Sequence, residues 1–196
     1  KLFDDDKEQV KLTAGIMWHK VERQTDEMGL KAELTTFVPY TQDKVELTKV
    51  TITNTADTTQ KITSTVAIPM YARSASNIRD HRHVTSLLHR TFTIKDGIMI
   101  YPTLTFDERG HNKNTVFYGA LAKEMVNGKM ESPFSFCPVT EEFIGEGGNF
   151  ENPYYVAKNK PLPYTEGQEV DGYETVAAIR FNDCELKPEE SRSYVI

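Results

Sequence analysis

Residues 45–70 read VELTKVTITNTADTTQKITSTVAIPM. The apolar positions run Val45, Leu47, then Val50 and Ile52, a period of two that slips once, as a β-bulge would make it slip. Asn54 to Thr58 are small and polar, which predicts a turn. Alternation resumes at Ile62, Ser64, Val66 and Ile68, with Lys61, Thr63 and Thr65 on the other side. The expectation is an antiparallel strand–turn–strand unit with one buried face.

The same alphabet continues outward. Thr91 to Lys95 and Ile98 to Phe106 flank Asp96-Gly97, a pair favoured where hairpin turn residues need positive φ, and Pro102 in the second arm predicts an edge or a bend. Thr175 to Phe181 and Ser191 to Ile196 read as two more strands, joined through a turn at Leu186 to Glu190. Pro133 to Pro163 holds five of the nine prolines and the Gly145-Glu146-Gly147-Gly148 cluster; it is expected to be a long ordered loop, a type that often carries function. No stretch keeps helical spacing beyond two turns, and there are no internal repeats. The fold class is therefore all-β: one antiparallel β-sandwich over residues 1–196. Because the chain stops within an expected strand, at Tyr194-Val195-Ile196, it is read as part of something longer.

With 38% hydrophobic and 27% charged residues, the 196-residue chain can bury a core. Its 23 basic and 29 acidic side chains give a net charge of −6, which argues against a nucleic-acid binder held by bulk charge. No apolar run approaches the roughly 18 residues of a membrane span, so neither nucleic acid nor membrane is an expected partner. Two distant cysteines, Cys137 and Cys184, make no disulfide framework, and a cytoplasmic location is expected.

Residues 73–90, RSASNIRDHRHVTSLLHR, concentrate charge: Arg73, Arg79, Arg82 and Arg90, three histidines (His81, His83, His89), and Asp80 as the only acid. Clustered guanidinium groups suit planar anions such as phosphate or carboxylate. They equally suit ion pairs with acids on a neighbouring strand. His81 and His83 can share a strand face, yet a zinc site needs more ligands than this stretch supplies, and no metal is expected. In FDERGH, residues 106–111, Asp107 and Glu108 point to opposite faces of an extended chain and cannot act as an acid/base pair. A turn-stabilising role for Asp107, Glu108, Arg109 and His111 stands beside direct ligand contact. Trp18, Tyr40 and Tyr71 can stack on a sugar ring or belong to the core. No nucleophile elbow and no phosphate-cradling glycine loop is present.

Residues 45–70 resemble the strand pair found early in the cellobiose-phosphorylase-like enzymes of glycoside hydrolase family 94. EEFIGEGGNFENPYYV, residues 141–156, is similar to a loop of that family, with Phe143, Gly145, Gly147, Gly148, Asn152 and Pro153 at the matching positions. DGYETVAAIRFNDCELKPEESRSYVI, residues 171–196, is similar to its closing strands. RDHRHVTSLLHR with PTLTFDERGHNKN looks closest to the branch acting on 1,2-β-linked glucose oligomers.

The resemblance implies an N-terminal supersandwich domain of the galactose-mutarotase-like kind. It implies a parent enzyme that cleaves β-linked glucose oligosaccharides with inorganic phosphate as co-substrate, releasing glucose 1-phosphate with inversion and using no other cofactor. Such a reaction needs one protonated carboxylic acid at the leaving oxygen, with phosphate in place of the activated water. In the family that acid sits in an (α/α)6 helical barrel that follows the sandwich. No helical series occurs here, so no catalytic residue is assigned and the chain alone is expected to be inactive. Its implied partners are that barrel and a β-glucan oligosaccharide; a homo-oligomeric state is left open. Arg79, Asp80, Arg82, His83, Arg90, Asp107, Glu108, Arg109 and His111 are the candidates to face substrate or barrel. Two other readings are a stand-alone carbohydrate-binding module with Trp18 as platform, and a mutarotase-like sugar epimerase pairing His81 or His111 with Glu108.

Overall fold

A computed structural model describes residues 8–72, 89–102 and 117–196. Nearly every element in it is a β-strand, and every strand pairing is antiparallel. The strands belong to two compact units. One takes the chain up to Thr63, then Ala122–Ser132 and Asp183–Ile196; the other takes Ser64–Leu121 and Pro133–Asn182.

In the first unit, β1 (Gln9–Gly15), β2 (Trp18–Thr25), β3 (Leu30–Phe37), β4 (Leu47–Asn54), β16 (Ser191–Val195), β10 (Lys123–Val126) and β11 (Lys129–Glu131) form one sheet in that spatial order. Period-two alternation sorts its side chains. Leu12, Val21, Leu34, Val50 and Tyr194 are cross-strand partners in one row, so they share a face. The opposite face carries a lattice of ion pairs: Lys20 Nζ lies 2.5 Å from Glu33, and Lys31 and Lys11 lie 3.4 and 3.8 Å from Glu22. Hydroxyl pairs continue it, with Thr51 Oγ1 3.0 Å from Ser193 Oγ and Thr53 Oγ1 2.8 Å from Ser191 Oγ. Exposed pairs of this kind stabilise little one by one; here Glu22 and Glu33 face each other across β2 and β3, and the diagonal Lys20 and Lys31 offset the repulsion between them. Charged residues occur on the apolar face too: Glu124 is buried beside Tyr194, with Arg192 Nη1 at 3.4 Å, and Arg23 shares the Arg192 row.

The second unit is a two-layer sandwich. One layer orders β12 (Ser135–Val139), β14 (Thr175–Arg180) and β6 (Thr65–Met70); the other orders β13 (Glu169–Asp171), β7 (His89–Ile94), β8 (Gly97–Pro102) and β9 (Tyr118–Leu121). β12 and β14 lie against β7 and β8. Every residue of β14 is buried, as befits a central strand covered on both faces. Hydrogen bonds join the layers: His89 Nε2 lies 2.8 Å from Thr175 Oγ1, which lies 2.9 Å from Thr91 Oγ1.

Several expectations need correction. The 45–70 stretch supplies strands but not a hairpin. β4 pairs with β3 and β16, β5 (Gln60–Ile62) pairs with β15 (Cys184–Leu186), and β6 belongs to the other unit. Asn54 is the reason. It is fully buried, donates from Nδ2 to Thr58 O at 2.8 Å and Leu186 O at 2.9 Å, and accepts from Ala56 N at 2.9 Å. The expected turn is there, but it is tied to β15 and sends the chain out of the sheet. Nor is there a bulge in β4: its register with β3 is unbroken, and Leu47 simply faces the side opposite to Val50.

The 91–102 hairpin is present with its turn one residue earlier than expected, because Ile94 pairs with Gly97. Gly97 is needed for space: a Cβ there would lie 2.1 Å from Ala120 O on β9. The Pro133–Pro163 stretch is not all loop. It contains β12 and two one-turn helices, α1 (Thr140–Ile144) and α2 (Tyr154–Ala157). Pro138 sits where β12 shifts register against β14, between Cys137 and Val139, as a residue without an N–H must. The strands expected at 175–181 and 191–196 form as β14 and β16, and the Lys187–Glu190 turn closes with Glu190 N donating to Lys187 O at 3.0 Å.

Candidate functional site

A concavity in the second unit grows out of the glycine-rich segment. β12 runs into α1, whose Phe143 points into a core of Cys137, Leu162, Val176 and Ala178. Phe143 thereby fixes the helix to the sandwich. Two glycines then shape the exit from α1. Gly145 has φ 80°, a left-handed conformation that disfavours side chains, and a Cβ on it would lie 2.8 Å from Tyr154 Cβ. Gly148 has no positive φ, yet its Cβ would fall 2.0 Å from Ile144 O. Asn149 Oδ1 accepts from Glu151 N at 2.9 Å and Asn152 N at 3.1 Å, an Asx turn that delivers the chain to Pro153 and α2.

The result is a cavity of about 480 Å³ lined by Glu141, Glu142, Glu146 and the tyrosines 154, 155, 164 and 173. Tyr164 donates its hydroxyl proton to Glu142 Oε2 at 2.9 Å. Burial, helped by the Glu142 carboxylate, pushes the phenols of Tyr155 and Tyr164 upward, so both stay protonated donors. Tyr154 is held the other way: Lys160 Nζ donates to its oxygen at 2.5 Å and lies 4.8 Å from its ring centroid, lowering the phenol. Arg180, buried on β14, grips the segment beneath by donating to Lys160 O and, at 2.9 Å, to Asn159 Oδ1.

Chemically, this is a pocket of aromatic faces, hydroxyl donors and carboxylate acceptors. Three acids at its wall repel an anion such as phosphate, whereas a neutral polyhydroxylated ligand finds both hydrogen-bond partners and ring faces.

Arg90 is the one candidate from the basic stretch and its neighbour that falls among the described residues. It is exposed on β7, opposite Asp171 of β13, with Nε 3.4 Å from Oδ2. His89 beside it is fully buried in the sandwich. Arg79, Asp80, Arg82, His83, Asp107, Glu108, Arg109 and His111 lie outside the described residues, as does His81. Tyr71 donates to Glu174 Oε1 at 2.9 Å, Tyr40 is wholly exposed, and Trp18 is partly exposed on β2. The stretch 141–156, expected to lie in a functional loop and similar to a loop of glycoside hydrolase family 94, supplies Glu141, Glu142, Gly145, Glu146, Tyr154 and Tyr155 of the pocket. None of these side chains is among the expected site residues, and Tyr164 and Tyr173 lie beyond that stretch. The signal that could have found them is the crowding of four tyrosines into residues 154–173, directly after the glycine-rich loop.

Residues 7–196 match the family described as glycosyl hydrolase 94, supersandwich domain. No curated protein matches the chain. No helix among the described residues is long and apolar enough to cross a membrane.

Proposed function

Since the chain belongs to glycosyl hydrolase family 94, as its supersandwich domain, we propose that it is the N-terminal, non-catalytic β-sandwich of a cytoplasmic carbohydrate phosphorylase. The reaction we assign to the parent protein is cleavage of β-linked glucose oligosaccharides, of the 1,2-β-linked class, by inorganic phosphate to give glucose 1-phosphate. The observation that carries this reading is the family match across residues 7–196. The pocket chemistry supports it, being fitted to a sugar and not to phosphate. Attack by phosphate with inversion needs a general acid at the leaving oxygen. We place that acid in an (α/α)6 barrel that partners this domain. The sandwich then shapes the sugar end of the site with its tyrosine pocket, and the edge of Arg79, Arg82 and Arg90, with Asp107 to His111, faces the barrel.

The test begins with the intact mass of the source protein, followed by phosphorolysis of 1,2-β-glucooligosaccharides. The expected result is a native chain far larger than 22.3 kDa that releases glucose 1-phosphate, while the 196-residue chain alone releases none. A native mass near 22.3 kDa, or a larger protein without phosphorolytic activity, overturns the proposal. In the active protein, Tyr154→Ala is expected to raise KM for the oligosaccharide and leave KM for phosphate unchanged.

A further inference from the structure

At the far end of the seven-stranded sheet, Gly15, Trp18, Phe37 and Leu47 are successive cross-strand partners and so form one row on one face. Gly15 leaves room for its neighbour: a Cβ there would lie 2.3 Å from Trp18 Nε1 and 2.7 Å from Cε2. The indole therefore lies across the edge strand and fills the space a side chain would take. Its outer side stays open, with Trp18 41% and Phe37 37% exposed. The Ile16-Met17 turn that delivers Trp18 to this place holds Met17 at φ 64°, a conformation costing roughly 1 kcal/mol for a side-chain-bearing residue. Val38 N anchors the turn by donating to Met17 O at 3.1 Å.

The next row on the same face, two residues inward, holds Thr13, Lys20, Thr35 and Lys49. Two residues of strand span roughly 7 Å, about the reach of one sugar unit. Lys20 is already neutralised by Glu33 and Glu22, so this rim offers hydroxyl, ammonium and carboxylate groups in near balance. Two exposed aromatic side chains beside such a rim suit the apolar C–H face of a pyranose, with the rim taking the hydroxyls. A nucleic-acid base stacks equally well on indole, but its phosphates meet a chain of net charge −6.

From this geometry we infer that the Trp18 end of the sheet is a stacking platform for a neutral β-linked glucan chain, a site separate from the tyrosine pocket. The inference draws on the family's carbohydrate chemistry and stands whether or not the phosphorolysis reading does.

Trp18 is the only tryptophan, so the emission of the 196-residue chain reports on this site alone. Titration with cellopentaose and with a 1,2-β-linked glucopentaose is expected to give a saturable blue shift for at least one, with Kd of about 1 mM or tighter. Glycerol at matched viscosity is expected to give none. Gly15→Val keeps the fluorophore while pushing the ring off the strand, and is expected to weaken binding at least tenfold. Trp18→Ala is expected to abolish retardation in a glucan-containing native gel. No saturable shift with either sugar overturns the inference. So does emission that responds only to protein concentration while sedimentation shows a doubled mass, which would assign the patch to a second copy. Binding here without phosphorolysis by the parent protein would overturn the earlier proposal alone.

Discussion

Phe143→Ala in a Cys184→Ser background tests whether the glycine-rich loop is part of the folded core or a flap upon it. Phe143 is 1% exposed and packs in the same cluster as Cys137, which is fully buried. Burial pushes the Cys137 thiol up to about 12, so in the closed protein it is both hidden and protonated. A thiol reagent at pH 8 therefore reaches Cys137 only through opening, and the labelling rate follows the opening equilibrium. Truncating a buried Phe to Ala costs about 3–5 kcal/mol, as lost transfer free energy and as cavity. Since α1 ends in a Gly145 turn packed against Tyr154, little of that cavity can collapse. Three kcal/mol corresponds to roughly a 150-fold change in an equilibrium, so Cys137 labelling is expected to accelerate about 150-fold or more. Removing Cys184 keeps the count unambiguous, because the chain has two cysteines, both free thiols. Acceleration below about tenfold would refute the reasoning, by showing that α1 is not anchored through Phe143 and that the pocket wall moves independently of the sandwich.

Glu124 is held above the usual carboxylate range by burial, opposed by Arg192. The folded chain thus keeps a proton that the unfolded chain releases near pH 4.5. The stability this gives is complete below that pH and is lost as pH rises through the higher folded value; Glu124→Gln is expected to flatten that slope in urea unfolding measured from about pH 4 to 7. Gly148→Ala is expected to lower Tm more than Gly147→Ala. The first drives a Cβ to 2.0 Å from a backbone carbonyl, whereas the second meets nothing within 4 Å and bears only its φ of 66°, a cost of about 1 kcal/mol. Equal losses would refute the close-approach argument. Arg180→Lys is expected to destabilise nearly as much as Arg180→Ala, by about 2–4 kcal/mol in chemical denaturation. The two acceptors are reached by separate nitrogens of the guanidinium fork, a spacing that the single nitrogen of a lysine ammonium does not reproduce although it has donors to spare; rescue by Lys would refute this.

Strand content was legible because it is local. The strand-like composition of 175–181 and 191–196, and turn chemistry at 54–58 and 187–190, act over a few residues, and each produced the element it implied. Pairing was not legible, because partners are chosen at long range. β4 and β6 read as one hairpin, and nothing within 45–70 reveals that Asn54 Nδ2 will bond Leu186 O, 132 residues away. Ser64 marks the same limit: the alternation that runs from Ile62 to Ile68 continues across the boundary between two units, since a period of two records burial on one side and not the sheet that provides it.

The site follows the same division, and it explains which residues a sequence reading favours. Charge density drew attention to residues 73–90, yet a charged side chain on a strand is read equally well as half of an ion pair, and Arg90 does lie 3.4 Å from Asp171. The pocket at 139–173 instead assembles from residues that are individually ordinary. Tyr154 and Tyr155 close the 141–156 stretch but Tyr164 and Tyr173 lie outside it, and Glu142 acquires its role only because Tyr164 returns to it across 22 residues of chain. What locates them is backbone: glycines at 145 and 148 where a Cβ would collide with Tyr154 or Ile144 O. A glycine cluster is therefore better evidence of where a sandwich builds a recess than a cluster of charge. It marks the close approach from which a cavity wall is made, while charge serves an ion pair such as Arg90–Asp171 as readily as a site.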